Sequence, residues 1–272
     1  MKPQKAFWIV LLIIIVLGSS YARAQSLVAK SAGPSPVRDQ SALNVLEHAF
    51  TVAGGKAQIK AAQDFSATGT ITYSWSDGDV QGDARILAKG QDQARMDVRL
   101  PDRTDSIILN HGTGSVSDHS GSHAILGQNA RHMGLLIFML PHIVEAVEDP
   151  RTSISFDAGN DDMGCNDAYR IQIVQPIPTQ LQNDLKLQQL RTFKLCIEKT
   201  SLMIVQFAHP LVLANRRHVV LVRQLVFSDF RMVSGLVLPF SIEEKQGGQH
   251  LSTLHLGTCS LSSGVQPDAF DR

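Results

Sequence analysis

Two hydrophobic periods divide this chain into a short helical start and a long succession of strands. Between Ser41 and Gly55, Leu43, Leu46, Phe50 and Ala53 recur at helical spacing, and Ala42, Val45, Ala49 and Val52 broaden the same stripe. The spacing predicts an amphipathic helix with Ser41 as its N-cap and Gly54-Gly55 as the left-handed stop, followed by one short helical turn within 56–63. From Asp64 the period becomes two. Phe65, Ala67, Gly69, Ile71, Tyr73 and Trp75 fall on one face, and Ser66, Thr68, Thr70, Thr72 and Ser74 on the other. Asp77-Gly78 and Gly90-Gln91-Asp92 then turn the chain into strands over 80–88 and 94–100, the pattern of antiparallel hairpins. Shorter strands are expected at 106–110, 115–118 and 123–126.

The rhythm breaks over 130–149. An apolar stretch from Met133 to Leu140 meets Pro141, and Ile143, Val144, Ala146 and Val147 follow at helical spacing, which predicts two short helices. They are too short to span a bilayer, which takes about 20 apolar residues. Strands resume at 153–156, 169–174, 192–198, 202–209 and 217–230, and a last pair occupies 236–246 and 250–258. Along 217–230 both alternating sets are apolar, so both faces of that strand are expected to be covered. The fold class is therefore mainly β with a few helices. No repeat of fixed period emerges, which disfavours a propeller or solenoid.

The first residues bear on destination. Lys2 and Lys5 precede an apolar run over 6–17, and Gly18-Ser19-Ser20 leads to the small-x-small triplet Ala22-Arg23-Ala24, the layout of a secretory signal peptide over 1–24. The absence of a Cys after the triplet argues against an N-terminal lipid, so the mature protein is expected in the periplasm or outside the cell, with no stable membrane span after cleavage. Residues 25–40, with Gly33-Pro34-Ser35-Pro36, read as a flexible leader, and 41–272 as a single β domain.

The chain has 272 residues, 43% apolar and 18% charged, with 25 basic against 25 acidic side chains. That composition suits a globular domain and leaves no broad basic field, so nucleic acid is not an expected partner. Losing Lys2, Lys5 and Arg23 with the export segment takes the formal balance from zero to −3. Cys165, Cys196 and Cys259 show neither a CxxC nor a zinc-type spacing. In an oxidising compartment Cys165 and Cys196 are the preferred pair, since each borders a strand-like run, and three buried free thiols are the alternative.

Catalytic motifs are absent: there is no G-x-S-x-G elbow, phosphate loop, H-E-x-x-H helix or dinucleotide fingerprint. Asp118-His119-Ser120-Gly121-Ser122-His123 is the richest polar group, but a turn explains its Asp, Ser and Gly without a ligand role, and no third orienting group backs Ser120 or Ser122 as a nucleophile. Asp161-Asp162 lacks the spacing of a calcium loop, and His132 and His142 flank the apolar insertion as caps or pH-responsive groups. No catalytic residue, metal or cofactor is assigned, and the protein is not expected to be an enzyme.

Two stretches carry a family resemblance. Ala53-Gly54-Gly55 running into Phe65-x-x-x-Gly69-Thr70-Ile71, and Phe230-x-x-Val233-x-Gly235-Leu236-x-Leu238-Pro239, together with the order of helix, meander, apolar insertion and closing hairpin, resemble the periplasmic outer-membrane lipoprotein carrier (LolA-like) superfamily. The resemblance implies a half-open antiparallel β-barrel, or strongly curved sheet, with helices packed on its concave face and an apolar cavity that accepts acyl chains. On that reading Tyr73, Trp75, Met96, Leu236, Leu238 and Phe240 line the cavity, and Leu135, Leu136, Phe138 and Met139 form a lid. Large apolar side chains, flexible Met among them, hold a lipid tail by non-directional burial. The implied function is a non-enzymatic carrier or binding protein for a hydrophobic small molecule or lipid acyl chain. Two readings stay open beside it: an envelope interaction or sensor module with a packed interior, meeting an envelope protein partner, and a secreted hydrolase.

Overall fold

The computed structural model describes residues 35–75, 78–90, 92–125, 139–159, 163–176, 190–212 and 220–271. The export segment, most of the leader, His132, Asp161-Asp162 and the lid residues Leu135, Leu136 and Phe138 lie outside them.

Helix α1 spans Gln40–Val52 and buries Ala42, Leu46, Ala49 and Phe50, the stripe that the helical period marks. Its N-cap is Asp39 rather than Ser41: the carboxylate accepts from Ser41 N at 2.7 Å and from Ala42 N at 3.2 Å, satisfying two first-turn donors that a cap at Ser41 would leave to others. Helix α2, Lys56–Ala61, buries Ile59 and rests against α3, Met139–Glu148, whose Met139, Leu140, Ile143, Val144, Ala146 and Val147 are buried. Pro141 lies in the first turn of α3, where its missing N–H costs no helical bond.

Thirteen strands form one antiparallel sheet. The first six are β1 (Asp64–Trp75), β2 (Gly78–Lys89), β3 (Gln93–Arg99), β4 (Thr104–Asn110), β5 (Thr113–Asp118) and β6 (Gly121–Ala124), each paired with the next. The chain then passes through α3 to the opposite edge and returns through β7 (Ser153–Phe156), β8 (Ala168–Val174), β9 (Thr192–Glu198), β10 (Ile204–Val212), β11 (Val220–Val233), β12 (Leu236–Gln246) and β13 (Gln249–Leu261). Strands β1 and β13 meet in the middle of the sheet, with Phe65 opposite Leu261 and Tyr73 opposite Ser252. The sheet is curved and does not close into a barrel, because β6 and β7 remain edges.

One face of the sheet joins the three described α-helices in the main core. Phe65, Ala67 and Ile71 of β1 continue into Ala84, Ile86 and Ala88 of β2, Ala94 and Val98 of β3, and Leu254 and Leu256 of β13, while Phe50, Ile59 and Ile143 approach from the helices. Strand β11 departs from the two-sided burial expected of it. Leu225 and Phe227 are buried on the core side, whereas on the other side Val222 is 48% exposed and Val226 half-buried, so the outer face is only partly covered. That outer face carries two smaller clusters elsewhere: Leu87 with Val265 and Phe270 of the C-terminal segment, and Met163, Cys196 and Ala208 beside Cys165. Cys165 and Cys196 are joined by a disulfide there, with their Cα atoms 6.3 Å apart.

Candidate ligand cavity

The inward residues of seven strands border a cavity. Ile71 of β1, Ile86 of β2, Met96 of β3 and Ile107 of β4 supply one wall, following the register that sets Ile86 opposite Met96 and Met96 opposite Ile107. Leu225 of β11, Ile242 of β12 and Leu254 and Leu256 of β13 supply the other, with Phe65 also bordering the space. The cavity measures about 80 Å³ and opens onto solvent, so it is a narrow apolar cleft, smaller than the ~300–1,000 Å³ of small-molecule sites.

Its lining is not apolar throughout. Where the inward set of β12 reaches Glu244, that of β11 reaches Arg223 and that of β13 reaches Ser252, and all three border the cavity. Arg223 Nε stands 2.7 Å from Glu244 Oε1, with the two side chains only 13% and 21% exposed. Ser252 Oγ donates to Glu244 Oε2 across a longer 3.5 Å. Tyr73 lies opposite Ser252, and its phenol is pushed up to about 12, first by burial and then by the negative charges of Asp105 and Glu244, which Arg223 and Arg103 partly offset. The phenol therefore keeps its proton at neutral pH. Buried His209 faces Arg223 across the β10–β11 pair.

Of the residues the sequence selects for binding, Met96 borders the cavity. Tyr73 is partly buried beside the polar end, and Met139, Leu236, Leu238 and Phe240 are buried in the surrounding core. Trp75 is the last residue of β1. Sequence reasoning missed Arg223, Glu244 and Ser252. Their signal was available: each interrupts an otherwise apolar inward set, Arg223 before Leu225 and Phe227, Glu244 after Phe240 and Ile242, and Ser252 before Leu254 and Leu256.

Among the described residues the polar groups elsewhere do not assemble a reactive site. Ser120 Oγ contacts Asp118 Oδ1 at 2.5 Å and His123 Nε2 at 2.8 Å, but Ser120 and His123 are exposed and Asp118 only half-buried, and the carboxylate engages the hydroxyl instead of orienting the imidazole as a triad requires. Those hydrogen bonds from Ser120 hold the Asp118 carboxyl below its ordinary range. Among the described residues no three His, Cys, Asp or Glu side chains gather at metal-binding distance. Cys259 sits on the inward face opposite Ala67, and burial pushes its thiol up to about 11, away from reactivity. No described helix is long and apolar enough to cross a membrane.

Neither a protein-family model nor a curated protein sequence matches the chain. Several solved structures do resemble it. A LolA superfamily protein from Nitrosomonas europaea is 15% identical, with 85% of this chain and 97% of that one covered at a TM-score of 0.51. A candidate outer-membrane lipoprotein-sorting domain from Vibrio parahaemolyticus is 9% identical over 85% and 97% of the two chains, with a TM-score of 0.49. A DUF1329 family protein from Desulfovibrio piger is 12% identical over 88% and 98%, also with a TM-score of 0.49. The likeness to the Nitrosomonas protein, joined to the curved sheet and its inward helices, shows that this chain shares that protein's fold.

Proposed function

We propose that this protein is a non-enzymatic carrier or binding protein for a hydrophobic ligand such as a lipid acyl chain. The observation that carries the reading is the solvent-open cleft between the inward faces of β1–β4 and β11–β13, walled by Ile, Leu and Met side chains. An ordinary core is packed to crystal-like density with few voids larger than a water molecule. A space of this kind offers an acyl chain burial at about 25 cal/mol per Å² of apolar surface. The LolA-like fold supports the same reading as an analogy of architecture.

In this reading residues 1–24 direct export and are removed, 25–40 lead into the domain, and 41–272 work as one unit in the periplasm or outside the cell. An oxidising compartment suits the Cys165–Cys196 disulfide. A partner in the envelope would deliver or receive the ligand.

The test is native mass spectrometry with lipid extraction on protein purified from its own compartment, compared with an Ile107→Trp, Leu254→Trp variant that fills the space. Both positions border the cavity. Circular dichroism establishes that the variant folds, and binding of an environment-sensitive apolar dye gives a second readout. Lipid that accompanies the native protein and is lost from the folded variant supports carriage. Ligand-free native protein that also fails to take up the dye retires it.

A further inference from the structure

A charged pair occupies positions that the fold would otherwise fill with apolar side chains. Arg223 lies on the inward face in line with Leu225 and Phe227, and Glu244 in line with Phe240 and Ile242. Placing two charges in a poorly solvated site costs several kcal/mol per ion, and an apolar pair of similar volume is commonly as stable. Stability therefore gives little reason for the pair.

The two partners are not equally satisfied. Glu244 has Oε1 against Arg223 Nε at 2.7 Å and Oε2 within 3.5 Å of Ser252 Oγ. Arg223 Nε faces Glu244 Oε1 as an ion pair without hydrogen-bond geometry, and no hydrogen bond from its guanidinium is found among the described residues. A guanidinium carries five donors in a rigid fork that matches a carboxylate or phosphate, and the Nη pair is the edge left for that use. The Glu244 charge sits on the Nε side of the fork, and the apolar wall of Ile71, Ile242 and Leu254 begins beside it.

We propose that the cavity takes a single-chain amphiphile with an anionic head, the head accepting from Arg223 Nη1 and Nη2 and the tail lying along Ile71, Ile242 and Leu254. This rests on the carrier reading and narrows its ligand class. Cationic amphiphiles are disfavoured because Glu244 is already engaged and Arg223 repels them.

Isothermal titration below micelle-forming concentrations tests the assignment with four probes that share a twelve-carbon tail: dodecanoate, dodecyl phosphate, dodecanol and dodecyltrimethylammonium. The native protein is expected to bind the two anions about tenfold or more tightly than the alcohol, the range of one charge-assisted hydrogen-bonded pair. A preference for dodecanoate identifies a carboxylate as the natural head, and a preference for dodecyl phosphate identifies a phosphate. In Arg223→Gln, Glu244→Gln, which removes both charges and strands neither, the anion preference should vanish while dodecanol binds within about threefold of native. Arg223→Lys should keep part of the preference, since an ammonium retains charge but not the fork. Equal binding of anions and alcohol by the native protein, or tightest binding of the ammonium, overturns the head assignment and leaves carriage standing. Binding of none of the four overturns carriage and this proposal together.

Discussion

Gly54 and Gly235 meet so closely that a methyl group on Gly54 would lie 2.2 Å from the Gly235 carbonyl oxygen. The contact joins the end of α1 to the β11–β12 turn, where Val237 N also donates to Ala53 O at 3.0 Å and Gln58 Nε2 to Ser234 O at 2.9 Å. Gly54 holds φ at +117°, a conformation that side-chain-bearing residues rarely adopt, so Gly54→Ala meets both a steric and a backbone penalty. Urea denaturation should show a loss of about 3 kcal/mol or more. Gly55 also has a positive φ of +89°, but nothing lies within 4 Å of its added Cβ. Gly55→Ala should therefore meet the backbone penalty alone, about 1–3 kcal/mol, and lose less than Gly54→Ala; equal losses at the two sites would refute the close-approach account.

The same pair shows how much was legible in advance. Ala53-Gly54-Gly55 and Val233-x-Gly235-Leu236 stand out in the sequence as separate stretches, and the structure sets them against each other. The switch from helical to alternating period at Asp64, and the inward set Phe65, Ala67 and Ile71, follow directly from side-chain geometry. The cavity does not follow. Leu236, Leu238 and Phe240 have the same period and chemistry as Ile242, Leu254 and Leu256, yet the first three stand in the core and the last three border the space. Curvature and the β1–β13 register decide between them, and that pairing joins residues as remote as Thr68 and Thr258, 190 positions apart. Gly69 helps to set it: the register shifts between Thr68 and Gly69, and a Cβ on Gly69 would lie 2.1 Å from the His255 carbonyl oxygen.

The Cys165–Cys196 disulfide closes a separation of 31 residues on the outer face, away from the cavity. Chain-entropy reasoning puts its contribution at about 3–4 kcal/mol. Thermal or urea denaturation with and without reductant should show that loss, while uptake of an apolar dye by the reduced, still folded protein should be unchanged. Native Cys259 should resist iodoacetamide in the same samples, because its thiol is pushed up to about 11 by burial. Rapid labelling of Cys259 in the folded state would contradict its placement on the inward face.

His142 of α3 is held neutral. Burial lowers its pKa from 6.5 to about 4, against a smaller upward pull from the Asp92 carboxylate. A histidine with a depressed folded-state value gives stability that is fully present above the unfolded value and is lost as pH falls through the folded one. Stability should thus decline between pH 6.5 and about 4, by up to about 3 kcal/mol at the bottom of that window from this group alone. Denaturation midpoints measured across that range should flatten in His142→Gln, which cannot titrate. An identical slope in both proteins would assign the acid sensitivity to other groups.

Arg38 ties the segment before α1 to the end of α3. Its Nη1 donates to Asp149 O at 3.0 Å and Thr152 O at 3.1 Å, and its Nη2 donates to Val147 O at 2.7 Å. The carbonyls that close a helix have no partners within it, and a cation there is also favoured by the helix dipole. The surrounding backbone strengthens the junction, since Asp39 N donates to Ile154 O at 2.9 Å and Ile154 N to Val37 O at 2.7 Å, giving edge strand β7 a neighbour. Arg38→Ala should remove about 2 kcal/mol, the order of several hydrogen bonds from one half-buried charge. Hydrogen exchange should quicken first in the last turn of α3 and in β7, while amides at the β1–β13 pairing keep their protection. Arg38→Lys should recover a minor part, because a single ammonium cannot span three carbonyls as the planar fork does. Full recovery by Lys would show that charge at the helix end matters and the three-way hydrogen bonding does not.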